Sequence, residues 1–227
     1  MMTKRSIEKL RKQYGFENPF IPDPLVRKAL RYCKGAKVLD VGCGEGADSV
    51  YYAQNGFSVT AIDNNRVYLK RLRSYLRDNH IPGVTVSLHN AVTYRYPRNT
   101  YDVVSCILVI CCMKRSEFER MVIPLKQCVK PGGTIILSAR NYLDPELREY
   151  RRSAKQVEPN TYRHKEQCRH LCTYVYFVER NMVRKAFDDF EILYYYEGYA
   201  PCKYGEHPKH GDTYVVCRRP LSHKLPA

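Results

Sequence analysis

The chain of 227 residues is short enough to form one compact domain, because single hydrophobic cores stop growing at about 250 to 300 residues. Hydrophobic residues make up 44% of it and charged residues 27%, proportions that exclude an intrinsically disordered chain. The formal net charge of +15 predicts an anionic partner, which is a nucleic acid, an anionic lipid or a small oxyanion.

Two features of the sequence predict a cytoplasmic protein that is neither secreted nor inserted in a membrane. Charged residues interrupt the first ten positions, where a secretion signal needs an apolar stretch, and no later apolar run reaches about 18 residues. The chain has 10 cysteines, several of them in apparent core strands. We therefore expect most of them to be reduced, small buried residues and not disulfide partners.

Predicted elements in the first two thirds of the chain alternate between strands and helices. Residues 1–36 are predicted to form a helical cap, with helices over 7–14 and 24–32. Residues 37–140 form the predicted core, with strands over 37–42, 57–63, 84–89, 101–110 and 133–139 and helices over 46–55, 65–80 and 114–130. This alternation predicts a buried, largely parallel sheet.

The last third of the chain has a weaker pattern. Residues 141–175 are polar and interrupted by prolines, which predicts an insertion or lid without sheet structure. Residues 176–219 are predicted to form a C-terminal helix, which starts near residue 174 and ends near 187, followed by edge strands over 190–197 and 213–219. The predicted fold is a single Rossmann-like α/β domain, with a mostly parallel seven-stranded sheet, an antiparallel C-terminal edge strand and helices on both faces.

A glycine-rich turn between the first strand and the first core helix predicts a nucleoside-binding site. The turn contains Asp40, Gly42, Cys43, Gly44 and Gly46. The glycines permit a sharp turn and let a ligand approach the backbone. Their G-x-G-x-G spacing differs from the G-x-G-x-x-G spacing that places a dinucleotide pyrophosphate at a helix N-terminus. The carboxylate of Asp40 favours a ligand with an ammonium and a sulfonium, which indicates S-adenosylmethionine and not NAD.

Asp63 ends the second predicted strand, 21 residues after Gly42. The carboxyl ends of parallel strands face the ligand crevice of an open α/β sheet, so a carboxylate here is suited to two ribose hydroxyls. We therefore predict that Asp63 binds the ribose.

Residues 38–46, 57–63, 101–106 and 129–133 together resemble the successive motifs of class I S-adenosylmethionine-dependent methyltransferases. The resemblance implies that the glycine turn contacts the methionine part of the cofactor. It also implies that Asn90 contacts the adenine, at a position where the family commonly has Asp, and that residues 106–108 lie beside the transferred methyl group. The full set of predicted cofactor-binding residues is Asp40, Gly42, Cys43, Gly44, Gly46, Asp63, Asn64, Asn90, Ala91, Cys106 and Ile107.

The C-terminal part of the chain resembles the tellurite-resistance (TehB-like) branch of these methyltransferases, and the thiopurine methyltransferases more distantly. The resemblance implies a small soft or anionic methyl acceptor, such as a thiol or a chalcogen species. It also implies a catalytic histidine, for which His207 and His210 are the candidates. A histidine can bind an anionic acceptor when protonated or remove a proton when neutral.

The sequence also has features of two other functions and of a metal site. Basic residues between 148 and 169 lie beside Tyr150 and Tyr162, a pattern also found on RNA-binding surfaces, so a nucleic-acid methyltransferase is the alternative. A non-catalytic binding module with this fold is the third hypothesis. His164, Cys168, His170 and Cys172 form a cluster that fits no standard zinc signature, so no metal is predicted. The sequence does not indicate an oligomeric state.

Overall fold

A computed structural model describes residues 8, 12–13, 20–164, 172–201 and 209–221. Its strands, in chain order, are β1 (Lys37–Val41), β2 (Ser58–Asp63), β3 (Val84–Leu88), β4 (Tyr101–Ile107), β5 (Val129–Arg140), β6 (Gln156–Glu158), β7 (Thr161–Arg163), β8 (Tyr174–Tyr176), β9 (Glu191–Pro201) and β10 (Lys209–Arg218). Its helices are α1 (Pro24–Ala29), α2 (Ala47–Gln54), α3 (Arg66–Asp78), α4 (Arg115–Cys128), α5 (Glu146–Ser153) and α6 (Met182–Ala186), with short 3₁₀ turns at Leu30–Tyr32 and Ile110–Cys112.

Within the described residues a seven-stranded sheet has the order β3-β2-β1-β4-β5-β10-β9. Strands β1 to β5 pair in parallel, and β10 pairs antiparallel with both β5 and β9. Adjacent residues Val38 and Leu39 point to opposite faces of β1, yet both are fully buried, in different hydrophobic clusters. The sheet is therefore covered on both faces, and the predicted fold class is confirmed.

The predicted turn at residues 131–133 lies inside β5, because this strand begins at Val129 and not at residue 133. The pairing register of β4 and β5 shifts here, from Tyr101 opposite Val129 to Val103 opposite Thr134. Gly132 has a φ of +79°. The Pro-Gly-Gly segment thus forms a bulge, where a residue without an N–H and a residue with positive φ are both tolerated.

The prediction that residues 141–175 lack sheet structure was wrong. The segment contains α5 and, together with β8, a three-stranded antiparallel sheet in the order β6-β7-β8. Leu147, Tyr162, Val175 and Phe177 form a separate buried cluster beneath these elements. Each strand has only three residues, too few to show an alternating pattern in the sequence. We call α5 and β6–β8 the lid.

The predicted helix over residues 174–187 was also wrong. Tyr174–Tyr176 is strand β8, and the helix covers only Met182–Ala186. The run Tyr-Val-Tyr-Phe-Val consists of aromatic and β-branched residues, which favour a strand. Asn181, at the helix start, has a φ of +58°, a left-handed conformation that interrupts any continuous helix.

The lid is held against the core at two places. Ser116, in the first turn of α4, donates from its backbone N and its Oγ to the carboxylate of Glu158, at 2.9 and 2.7 Å. Strand β8 packs against the 3₁₀ turn Ile110–Cys112, which follows β4. These contacts place the lid at the carboxyl end of β4.

The predicted helix over residues 24–32 is present as α1 and the 3₁₀ turn after it. Asp23 caps α1 by accepting a hydrogen bond from Leu25 N at 2.8 Å, and its own N–H donates to Asp48 at 2.7 Å. The predicted helix over residues 7–14 lies mostly outside the described residues. None of the described helices is long and apolar enough to cross a membrane. None of the eight cysteines among the described residues is in a disulfide bond.

Candidate active site

A cavity of about 590 Å³ lies at the carboxyl ends of the central strands and extends under the lid. Its volume is typical of small-molecule sites. We call one part the glycine end, which is lined by Asp40, Gly42, Cys43, Gly44, Asp63, Asn64, Asn90 and Ala91. We call the other part the thiol end, which is lined by Cys111, Cys112, Arg140, Tyr150, His164 and Cys172. Ile107 and Leu108, which follow β4, line the same cavity.

Gly42, Gly44 and Gly46 of the turn all have positive φ, but a side chain is excluded at these positions for different physical reasons. A Cβ on Gly42 would lie 2.4 Å from Val109 Cγ2, and one on Gly46 would lie 2.3 Å from Leu72 Cδ1. These two positions are thus required for packing. A Cβ on Gly44 would meet no protein atom within 4 Å, and Gly44 lines the cavity. Gly44 is therefore the position where a ligand can approach the backbone.

The carboxylate of Asp63 connects the end of β2 to the glycine turn. Its Oδ2 accepts a hydrogen bond from Gly44 N at 2.9 Å, and its Oδ1 accepts one from Asn65 N at 2.7 Å. A carboxylate oxygen can accept more than one hydrogen bond, so these contacts fix the group while leaving capacity for a ligand. Asp63 also lines the cavity, as expected for a ribose-binding group.

Asp40 is buried at the end of β1, only 2% exposed. Burial, with a smaller contribution from the charge of Asp63, raises the pKa of Asp40 to about 6. Ser49 Oγ donates a hydrogen bond of 2.5 Å to Asp40 Oδ2, which opposes that rise. The group thus ionises in a range where a cationic ligand would have a large effect on its charge.

Not every predicted cofactor-binding residue lines the cavity. Asn90 and Ala91 do, and Asn90 Oδ1 accepts a hydrogen bond from Val92 N at 2.8 Å, which orders the turn after β3. Cys106 is fully buried in the core and Gly46 packs on α3, so neither lines the cavity. Their predicted contact with the cofactor stays a prediction.

The thiol end brings together three cysteines, of which the sequence pattern indicated none as a site residue. The neighbouring thiols of Cys111 and Cys172, together with burial, raise the pKa of the Cys112 thiol. The Sγ atoms of Cys111 and Cys112 also lie 2.9 and 3.6 Å from the carbonyl oxygen of Leu108. Leu108 has a φ of +57°, a strained conformation of the kind that clusters at functional sites.

His164 connects the cysteines to the lid. Its Nε2 lies 3.5 Å from Cys172 Sγ, and its Nδ1 lies 2.9 Å from Tyr150 OH. The sequence signal for this end of the cavity is the adjacent pair Cys111-Cys112 directly after β4. The same pair is equally consistent with two buried core cysteines.

Of the two predicted catalytic histidines, the structure describes only His210. His210 is buried on β10, its Nδ1 3.1 Å from Asp144 Oδ2, and it is not one of the described lining residues. His207 lies outside the described residues. The side chains of Asp144, Glu146 and His210 are close enough to hold a cation, but Arg140 Nη1 already donates to Glu146 at 2.5 Å. This guanidinium supplies the positive charge, and the catalytic role of His210 stays a prediction.

Comparisons with known proteins find relatives of this chain. Residues 38–133 match the family described as a methyltransferase domain. The ubiquinone biosynthesis O-methyltransferase of Rickettsia canadensis is 33% identical over 106 residues, which are 46% of this chain and 43% of the relative. The mitochondrial enzyme of the same name from Schizosaccharomyces pombe is 33% identical over 106 residues, 46% of this chain and 38% of the relative. The chain thus spans less than half the length of these relatives.

Solved structures resemble the fold over most of the chain. TehB from Haemophilus influenzae has a TM-score of 0.68 at 18% identity, covering 94% of this chain and 66% of that one. A methyltransferase described as S-adenosylmethionine-dependent, from Methanosarcina mazei, has a TM-score of 0.70 at 18% identity, covering 88% of this chain and 99% of that one. Residues 38–133 therefore resemble a methyltransferase domain, and the chain has the fold of these solved structures, as its sequence predicts.

Proposed function

We propose that the chain transfers a methyl group from S-adenosylmethionine to a small-molecule acceptor bound at the thiol end of the cavity. The observation that carries this proposal is one continuous cavity, with carboxylates and a ligand-accessible glycine at one end and polar, nucleophile-binding groups at the other. Methyl transfer from a sulfonium is an in-line displacement. Much of its catalysis comes from holding the nucleophile and the methyl carbon in line in a site without water.

The glycine end supplies groups of the right chemistry for each part of the cofactor. Asp63 accepts hydrogen bonds from the ribose hydroxyls, and Gly44 gives the methionine part access to the backbone. Asp40, when ionised, stabilises the positive charges of the ammonium and the sulfonium. Asn90, the residue to which the resemblance assigns the adenine contact, lines the same end of the cavity, as does Ala91. The cofactor supplies the electrophilic methyl group.

The thiol end favours an acceptor that is anionic or soft. Arg140 and His164 line it, and a guanidinium stabilises an ionised oxygen, sulfur or chalcogen nucleophile. His164, hydrogen-bonded to Tyr150, is suited to remove a proton from a neutral acceptor. Since the relatives are named for O-methylation, the proposed acceptor class includes an ionised oxygen beside thiols and chalcogens. A cytoplasmic location is part of the same proposal.

A methyl-transfer screen with isotope-labelled cofactor tests this function. The acceptors are a set of thiols, phenols, selenite, tellurite, arsenite and bulk RNA. We expect transfer to at least one small molecule, its loss in Asp63→Ala, and its retention in Asp78→Ala, which changes a carboxylate at the far end of α3. Transfer to RNA alone, or equal activity of Asp63→Ala and the wild type, would contradict the proposal.

A further inference from the structure

Cys172, at the thiol end of the cavity, has a hydrogen-bond partner of a different kind from those of other cysteines in the chain. Its Sγ lies 3.5 Å from Nε2 of His164. The thiols of Cys33 and Cys111 instead donate to backbone carbonyl oxygens, at 3.4 and 2.9 Å. A carbonyl oxygen accepts a hydrogen bond without taking the proton, whereas a neutral imidazole is a base that can take it. Cys172 is therefore placed to become a thiolate.

The lid fixes the contact between Cys172 and His164. His164 directly follows β7, and Cys172 lies two residues before β8. The two strands pair antiparallel, and His164 N donates to the carbonyl oxygen of Thr173 at 3.0 Å, which continues the pairing beyond the strands. Both side chains line the cavity, and Cys172 is half-buried. The pair is thus held together by backbone hydrogen bonds and faces the space that a ligand enters.

Tyr150 orients the imidazole of His164. Its hydroxyl lies 2.9 Å from His164 Nδ1. When Nδ1 carries the proton, the hydroxyl accepts it and the lone pair of Nε2 faces Cys172. The ring of Tyr150 is itself fixed, with centroids 5.7 Å from Phe177 and 6.0 Å from Tyr162. A nucleophile, a base within hydrogen-bond reach and a third group that orients the base are the parts of an activated nucleophile.

We propose that Cys172, with His164 as its base and Tyr150 as the orienting group, is a nucleophilic thiol that forms a covalent bond with a small, soft electrophile in the cavity. The thiol proton passes to His164 Nε2, and the sulfur attacks an electrophilic carbon. A carbon–sulfur bond forms while the bond to the leaving group breaks, and the leaving group departs with the electron pair. This reaction needs no methyl donor, so the proposal does not depend on the proposed function.

Alkylation of the reduced full-length chain with iodoacetamide tests the proposal, because this reagent is a soft electrophile with iodide as its leaving group. The rate at each cysteine is followed by peptide mass spectrometry between about pH 6 and about pH 9. The tryptic peptide of residues 170–180 contains Cys172 and no other cysteine. We expect Cys172 to react faster than the half-buried Cys33, because burial raises the pKa of Cys33 to about 12.

Substitutions of the two partners test the activation itself. The rate at Cys172 should have its midpoint below about pH 7.5 in the wild type and near about pH 8.5 in His164→Gln. Below about pH 7 the variant should therefore react at least about threefold more slowly, since a tenfold loss of thiolate is partly offset by the higher nucleophilicity of a more basic thiol. Tyr150→Phe should change the rate in the same direction.

Tyr142→Phe is the matched control for Tyr150→Phe. It removes a hydroxyl that accepts a hydrogen bond from Arg180 at 3.0 Å, and Tyr142 is not among the described residues that line the cavity. This variant should react as the wild type does. Melting temperatures show which variants are folded, and Tyr150→Phe decides the question if His164→Gln is not.

Two results would overturn the nucleophilic role of Cys172. One is a rate at Cys172 in the wild type no higher than that at Cys33. The other is the wild-type rate and pH profile at Cys172 in the folded partner variants. Since no cofactor is present during alkylation, a failure here is separate from a failure of the methyl-transfer screen.

Discussion

The buried carboxyl group of Asp40 should make cofactor affinity depend on pH. Burial raises the pKa of Asp40 to about 6, so in the free protein about 10% of it is ionised at about pH 5 and nearly all at about pH 7.5. A ligand with an ammonium group prefers the ionised form. Its apparent affinity scales with the fraction of competent protein, so it should rise about tenfold, or about 1.4 kcal/mol, between these two pH values.

Calorimetric titration with S-adenosylhomocysteine across this pH range measures the effect. Binding should release a proton near pH 6, seen as a dependence of the binding enthalpy on the ionisation enthalpy of the buffer. Asp40→Asn should bind more weakly at neutral pH and lose the pH dependence assigned to this group. An affinity of the wild type that stays constant from about pH 5 to about pH 7.5, or an equal slope in Asp40→Asn, would refute the reasoning.

Asp40 should also make the stability of the ligand-free protein fall as the pH rises. The folded-state pKa of about 6 is above the unfolded value of about 3.9, so the folded state binds more protons between these values. The stabilisation that protonated Asp40 contributes is therefore present at low pH and lost as the pH rises from about 4 to about 6. The loss is on the order of 3 kcal/mol. Thermal melting of the ligand-free wild type and Asp40→Asn across this pH range measures the loss of stability. The stability of the variant should not show this decline with rising pH.

Four further substitutions test other parts of the site. Ser49→Ala removes the hydrogen bond that lowers the pKa of Asp40, so the midpoint of the pH dependence should move to higher pH in the same titration. Gly44→Ala adds a Cβ in open space and Gly46→Ala adds one against Leu72, so the first should mainly reduce S-adenosylhomocysteine affinity and the second should mainly lower the melting temperature. His210→Ala removes the imidazole that contacts Oδ2 of buried Asp144, whose Oδ1 keeps the hydrogen bond from Glu146 N, so unfolding should become easier by about 1–3 kcal/mol in a denaturant titration. If His210 instead acts on the acceptor, the rate of methyl transfer should fall while stability is kept.

The core of the fold was predictable because its signals are local. The β1 turn has glycines at fixed spacing, Asp63 follows a strand of buried residues, and α3 has a clear amphipathic pattern. Each of these features is determined by residues close in sequence. The parallel order of the central strands follows because helices connect β1 to β2, β2 to β3 and β4 to β5.

The lid and the thiol end were not predictable because they depend on contacts between residues far apart in the sequence. Strands of three residues have no measurable period, so β6–β8 exist only through their pairing and through the cluster around Phe177. Cys112 and Cys172 are 60 positions apart, and their contact depends on how β8 packs against the turn after β4. A pair of cysteines after a buried strand indicates core packing as readily as a site, and tertiary contacts decide between the two.

Titration of the wild type and of Asp63→Ala with S-adenosylhomocysteine at neutral pH tests the central claim most directly. The account predicts one binding site per chain in the wild type, a loss of affinity of at least about tenfold in Asp63→Ala, because two charge-assisted hydrogen bonds are lost, and wild-type affinity in the exposed control Asp78→Ala. Melting temperatures recorded on the same samples show whether the glycine turn, which Asp63 also contacts, remains folded. No binding to the wild type, or equal affinity of wild type and Asp63→Ala, would contradict the account.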